Sequence, residues 1–379
     1  METGRFVLWI LEIIILWAAL FAVQIPFRRK EWPPLRMIVF LVKVALFPGT
    51  ALLFVSIDSE FAYRHGDILA ALYIVLVGDI AASIIEYVIR CIRKLSAKSG
   101  KEYPCRMKWI LVLSAAFSLG ILVYGIVNTS TVREKKHIWT AEGLAREHTF
   151  AFTADLHVGS AQSMDALREF CRQVNSEDPE FVILGGDITD EMTSYDDMVT
   201  AYSILSEIKA PVYFIYGNHD RQLNADFVGG RTYRDEQLAA AIQNAGIRIL
   251  SDEYVKVADD LILLGREDIS AGDARKDWQS LDNPYEGTGA LVVADHQPCD
   301  KEQLAVERSA LQLSGHTHAG QVWPLQLVYR ILGLPAYGEF DEPGTRLYVT
   351  AGEGAWMMPL RTEAHCEWEL ITLTKPGAE

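Results

Sequence analysis

Between residues 149 and 318 the chain repeats one local plan five times: a short, mostly apolar run, then at once a group of metal-ligating side chains. The runs cover 149–154, 181–184, 212–216, 291–294 and 311–313. The blocks that follow are Asp155-x-His157, Gly186-Asp187-x-x-Asp190, Gly217-Asn218-His219-Asp220, Asp295-His296-Gln297-Pro298 and Gly315-His316-Thr317-His318. Continuous apolar runs of this length predict strands covered on both faces, with stretches such as 164–174 as the intervening helices. In such sheets ligands gather where strands end and loops leave the core. Five of the chain's nine histidines fall inside these blocks, which ties them to one common purpose.

Taken singly, each block has an ordinary reading. Asp-x-His is a turn, Gly-Asp-x-x-Asp is a helix start with Asp190 as its cap, and a lone His296 is a satisfied core or surface residue. Together, in this order, they match the needs of a pair of divalent cations about 3.5–4 Å apart: a shared carboxylate, further carboxylate, amide and imidazole ligands, and open positions. Asp187 suits the bridge, because Gly185 and Gly186 before it let backbone and metals approach closely. Asp155, His157 and His318 complete one metal; Asn218, His296 and His316 complete the other. The donor set suits Mn, Fe, Zn or Ni, so two divalent metal ions are the expected cofactors.

These blocks resemble the calcineurin-like metallophosphoesterase superfamily, in particular its membrane-attached bacterial branch of the YkuE/YaeI type. The likeness covers roughly 148–375 and extends to Gly320-Gln321 and Pro324 after the two histidines, and to Gly352, Gly354, Trp356, Pro359 and Arg361. The resemblance implies an α/β fold of four layers (α-β-β-α) with two mixed sheets. It also implies that His219 is a catalytic histidine, not a ligand, which contacts phosphate and protonates the leaving group, with Asp220 tuning that imidazole. Ala154 and Ala319 depart from the family's usual serine and glycine, and neither change removes a ligand.

The first 130 residues are a different material. Four apolar stretches, 6–25, 37–57, 68–89 and 109–127, each approach the roughly 20 residues of a bilayer-spanning helix. The 26–36 and 90–108 loops concentrate Lys and Arg, whereas Asp58, Glu60 and Asp67 lie between the second and third stretches. Positive loops stay cytoplasmic, so the expected topology is a multi-pass cell-membrane protein, N-terminus out and C-terminus out, with 148–379 extracytoplasmic. Lys135 and Lys136 argue weakly the other way. Lys43 and Asp79 fall at comparable depth in adjacent antiparallel spans and are expected to neutralise each other.

Residues 1–130 carry a net charge of +5 and the remainder −20. An acidic soluble part disfavours nucleic-acid binding, which relies on neutralising phosphates with Lys and Arg. Five dispersed cysteines, none in C-x-x-C spacing, indicate neither a zinc knuckle nor a disulfide framework. Residues 128–147, polar and charged, read as a linker between the two parts. After the last metal histidine, the 322–335 stretch is unusually apolar, as is the cluster from Trp356 to Leu360. Either both pack on the domain core, or Trp323 and Trp356 form an apolar wall toward the bilayer while Arg330 and Arg361 grip phosphate oxygens.

The expectation from these readings is a membrane-anchored, metal-dependent phosphoesterase. Its partners are the lipid bilayer and a phosphate-containing lipid or envelope substrate, with no nucleic acid and no obligate protein partner. The alternatives are a cytoplasm-facing nucleotide-lipid pyrophosphatase and a membrane sensor that binds a phosphorylated ligand without turnover.

Overall fold

The computed structural model describes residues 13–16, 38, 40–44, 46, 47, 50, 59–96, 107–159, 162–285, 287, 289–299, 310–342 and 345–377. The chain divides into two compact units. One comprises Met1–Asn128 with Val322–Leu325 and Leu360–Thr362; the other comprises Thr129–Gln321, Gln326–Pro359 and Glu363–Glu379.

In the first unit, α1 (Ser59–Ser96) and α2 (Met107–Thr129) are the two long helices. Within them, Ile68–Ile89 and Val112–Thr129 are long and apolar enough to cross a membrane. The spans expected at 6–25 and 37–57 lie largely outside the described residues; the parts that are described, 13–16 and nine positions between 38 and 50, are helical. Two of the four expected spans are therefore matched by the structure. At Gly78 α1 and α2 lie close together: a Cβ there would sit 2.1 Å from the Ser118 hydroxyl, the small-residue contact typical of membrane helix pairs. Lys43 and Asp79 form the expected ion pair, and both are buried.

The second unit is built on two six-stranded mixed sheets. The first contains β1 (Val132–Thr140), β2 (His148–Thr153), β3 (Val182–Leu184), β4 (Val212–Phe214), β5 (Arg248–Ile249) and β12 (Cys366–Thr374), in the order β1-β12-β2-β3-β4-β5. The second contains β6 (Glu253–Ala258), β7 (Leu261–Gly265), β8 (Ala290–Ala294), β9 (Leu311–Ser314), β10 (Gly338–Glu342) and β11 (Thr345–Val349), in the order β10-β11-β9-β8-β7-β6. The five apolar runs became β2, β3, β4, β8 and β9, and every one is an interior strand. That position explains why nearly all of their residues are buried; β9, Leu311-Gln312-Leu313-Ser314, alternates apolar and polar yet is buried throughout. In β2, Phe150 and Phe152 enter the core between the sheets, whereas Ala151 faces the cluster that holds the helices.

Three helices cover the first sheet: α3 (Met164–Glu177), α4 (Tyr195–Leu205) and α5 (Asp235–Asn244). Ser163 and Ser194 cap the first two, their hydroxyls accepting from the Ala166 and Asp197 amides. The buried stripe of α3 is Leu167, Phe170, Cys171 and Val174, spaced to fall on one helical face. Among the described residues, the outer face of the second sheet is covered by 3₁₀ turns and not by an α-helix. Trp278 packs there on Ile262, Leu264, Leu291 and Val293.

The segment 128–147 corrects the sequence reading: it is not a linker. Its residues 132–140 form β1, an edge strand paired in parallel with β12 over its whole length. The alternating charges of Val-Arg-Glu-Lys-Lys-His belong to a half-exposed edge, a place where charged residues are common.

Candidate metal centre

All seven ligand candidates come together at the ends of these strands. The ligand atoms of Asp155, His157 and His318 lie within 4.8 Å of one another, and so do those of Asp187, His296 and His316. The two groups follow the grouping expected from the sequence, with Asp187 in the second. His157 Nε2 stands 3.1 Å from His318 Nε2. The Oδ2 of Asp187 lies 2.9 Å from His296 Nε2 and 4.0 Å from His157 Nε2, reaching both halves as a bridge must. Asn218 Oδ1 completes the second group, 3.2 Å from His296 Nε2 and 2.8 Å from His316 Nδ1.

The backbone is strained where these side chains converge. Asp155, His157, Asp187, His316 and His318 all have positive φ, between 48° and 72°, a region L-residues enter at a cost of about 1–3 kcal/mol each. Ala319, where the family more often has glycine, is also left-handed, at φ 52°. Two glycines make the close approach possible. A Cβ on Gly217 would lie 2.2 Å from Asp187 Oδ1, and one on Gly315 would lie 2.5 Å from Asp155 Oδ2.

Buried carboxylates and carbonyls hold the imidazoles from behind. His296 Nδ1 bonds the Gly185 carbonyl at 2.8 Å, which directs Nε2 into the site. Asp190 Oδ2 lies 3.3 Å from His157 Nδ1, an ion-pair distance. His219 Nδ1 is paired with Glu191 at 2.7 Å. This corrects the role expected of Asp220. The Asp220 carboxylate instead accepts the amides of Asp187, Ile188, Thr189 and Gly217 at 2.7–3.1 Å. It clamps the loop after β3 to the loop after β4. The sequence reading missed Glu191, although an acid directly following the Gly-Asp-x-x-Asp block was the available signal. Arg221 stacks over Tyr216 at 3.6 Å and forks onto Glu267, bracing both ends of the same loop.

The electrostatics fit a cationic occupant. Burial alone would raise the Asp187 carboxyl, but the imidazoles of His296, His219 and His157 hold it well below its ordinary value. Burial, added to by the nearby Asp187 charge, pushes the Asp155 carboxyl up. Burial also drives His316 down to about 3, with His296 adding repulsion. Against its burial, His219 is raised to about 10 by Glu191 and Asp187. Two imidazole nitrogens ligating one tetrahedral zinc at about 2.0–2.1 Å stand roughly 3.3 Å apart, close to the His157–His318 separation. The donors are imidazole, carboxylate and amide oxygen, so the residues present fit two divalent metals.

The remaining candidates are dispersed. The Trp356 ring centroid is 6.0 Å from that of His219, and its backbone is fixed by the Gln321 side chain at 2.8 and 3.1 Å. Trp323 belongs to the helical unit, half-exposed, its ring 5.3 Å from Phe47. Arg361 is buried in that unit, its carbonyl accepting from Asn128 and its amide donating to Gly125. Arg330 is exposed on helix α6 (Leu325–Leu332).

The family described as calcineurin-like phosphoesterase matches residues 148–320. The transmembrane protein with metallophosphoesterase domain of Danio rerio is 27% identical over 280 residues, 69% of this chain and 62% of that protein. Phosphodiesterase YaeI of Escherichia coli is 27% identical over 236 residues, 59% of this chain and 80% of its own. The uncharacterized metallophosphoesterase YkuE of Bacillus subtilis is 28% identical over 237 residues, 58% and 77% respectively. The chain spans about three-fifths of the length of the Danio rerio protein and of its Helicobacter pylori relatives. Every ligand candidate, with His219 and Glu191, falls inside the matched span, and this part of the chain belongs to the calcineurin-like phosphoesterase family.

Proposed function

We propose that the protein is a membrane-anchored, metal-dependent phosphoesterase that hydrolyses a phosphomonoester, phosphodiester or pyrophosphate borne by a lipid or envelope component. The observation that carries the reaction class is the pair of facing ligand groups sharing Asp187, with His219 beside them. Asp155, His157 and His318 would hold one metal and Asn218, His296 and His316 the other, with Asp187 between. When bound, such a pair polarises a phosphate and supplies hydroxide at neutral pH. His219 is anchored twice, its amide to Asp187 Oδ1 at 2.8 Å and its Nδ1 to Glu191. That leaves Nε2 of the imidazolium to donate a proton to the leaving oxygen, a general-acid role in which Glu191 stabilises the charged ring. The buried Trp356 ring screens that proton from bulk water on one side.

Two features support the membrane and substrate reading: the apolar spans in α1 and α2, and the concentration of Lys and Arg in the 26–36 and 90–108 loops. By the positive-inside rule those loops face the cytoplasm and the phosphoesterase domain lies outside.

The test is full-length protein in detergent, assayed with an aryl phosphomonoester, an aryl phosphodiester, lipid phosphates and pyrophosphates. The expected result is metal-dependent turnover, abolished by chelation, with lipid-borne substrates preferred. Metal bound with no hydrolysis of any of them would favour the ligand-sensing alternative. Protease access to the segment around Thr131 in intact cells reads the orientation, and protection would favour the cytoplasm-facing pyrophosphatase.

A further inference from the structure

We infer that α6 is an interfacial helix whose exposed face lies in the headgroup–acyl boundary of the bilayer; this deepens the membrane reading above and rests on it. Trp323 stands just before α6, Leu327 and Ile331 share one face of it, four residues apart, and Leu334 follows its end. All are exposed, at 53%, 50%, 74% and 51%, and Leu332 beside them is 62% exposed. On the opposite side Leu325 is buried, and Gln326, Val328 and Tyr329 are partly covered. The helix thus packs its inner side and turns its most apolar residues outward, the reverse of what water favours.

The face is held out by fixed contacts. At the start, the Gln326 amide donates to Glu363 at 2.7 Å. At the end, the Leu334 amide donates to the Tyr329 carbonyl at 2.9 Å, and Thr317 Oγ1 donates to the Ala336 carbonyl at 2.5 Å. The segment cannot fold its apolar side inward without breaking these bonds. Thr317 lies between two ligand candidates, so the same bonds tie the helix to the metal centre.

The choice of lipid over another occupant comes from where the face begins. Trp323 and Pro324 belong to the unit that contains the two apolar spans. There the Trp323 ring meets Phe47, and the Trp323 amide donates to Thr362 Oγ1 at 2.9 Å, which is itself 2.8 Å from the Tyr73 hydroxyl in α1. The apolar face is therefore continuous in the chain with a segment packed among those helices. Its composition also suits an interface: a tryptophan, aliphatic side chains, and exposed Arg330 to meet anionic headgroups.

The experiment places a nitroxide on full-length protein in lipid nanodiscs, after Cys91, Cys105 and Cys299 are replaced by serine. Labels go at Ile331→Cys, at Leu119→Cys within the Val112–Thr129 span, and at Arg172→Cys on exposed α3. Accessibility to oxygen, which partitions into lipid, is compared with accessibility to a nickel chelate, which stays in water. The expected oxygen-to-nickel ratio at Ile331 approaches that at Leu119 and exceeds that at Arg172 several-fold. A water-like ratio at Ile331 with a lipid-like ratio at Leu119 overturns the inference and leaves the membrane reading intact. Water-like ratios at both positions sink the membrane reading itself. Protection of Ile331 from both reagents means that protein, such as a second copy of the chain, covers the face.

Discussion

Strand β2 has a buried histidine–carboxylate cluster near each end, and the two differ in where their ligating atoms point. At its start, fully buried His148 bridges Glu180 at 3.0 Å and Asp260 at 2.8 Å, one through each ring nitrogen. Arg146 forks onto both Glu180 oxygens, and the Ala145 and Arg146 amides donate to Asp260. Every charge there has an opposite partner. Because Asp260 lies in the turn between β6 and β7, the cluster clips the two sheets together. Just past the other end of β2, the ring nitrogens of His157 and His318 face each other across 3.1 Å, and carboxylates crowd around them. The residue types are the same, but the arrangement differs. Histidine and acid in proximity do not make a metal site; imidazole nitrogens and carboxylate oxygens converging on one point do.

The strongest way to break this contrast is to remove the bridging charge. Asp187→Asn is expected to lose bound metal, measured by elemental analysis of the dialysed protein, and to drop hydrolysis to background. Its thermal midpoint in chelator should stay within a few degrees of the parent's, because no clip charge is touched. Full metal content in this variant would show that Asp187 does not bridge. Glu191→Gln comes next. It keeps the ligands and the volume but weakens the hold on His219 Nδ1. We expect kcat to fall about 10–100-fold, the range for partners that orient a site imidazole, with metal content unchanged. An equal loss of metal would make Glu191 a structural support of the ligand shell instead.

The clip should behave in the opposite way. Asp260→Ala removes two backbone hydrogen bonds and one to His148, and bonds to a charged acceptor are worth about 1.5–3 kcal/mol. A loss of about 2 kcal/mol in urea unfolding is expected, with metal content and activity per folded molecule retained. Loss of metal with retained stability would erase the distinction drawn here.

How much of this was legible in the sequence follows from the same contrast. The five apolar runs and their blocks were readable because interior strands must be apolar on both faces and because the ligands sit directly at their ends. The clip was invisible: His148, Glu180 and Asp260 are far apart in sequence, and nothing local marks them as partners. β1 was misread because edge strands tolerate charge, so its composition imitates a linker. Glu191, which nothing in the sequence reading singled out, holds His219 in place of Asp220 for a geometric reason. Asp220 is turned toward three backbone amides of the neighbouring loop and the Gly217 amide of its own, a direction that adjacency to His219 does not reveal. Trp323 and Arg361 look like neighbours of the site in sequence, yet folding assigns both to the helical unit.

The smallest expected effect is a pH dependence that belongs to the clip alone. Burial works against the Asp260 carboxylate, but the Ala145 amide and His148 together hold it down at about 2, against about 3.9 for a free aspartate. A carboxylate depressed in the folded state contributes stability above its unfolded value and loses it as pH falls toward its folded value. The stability gap between the parent and Asp260→Ala should therefore be constant from neutral pH down to about 5 and narrow between about 4 and 2. Urea midpoints measured at closely spaced pH values for both proteins would trace that narrowing. A gap that stays constant down to pH 2 would show that the charge of Asp260 is not what the clip depends on.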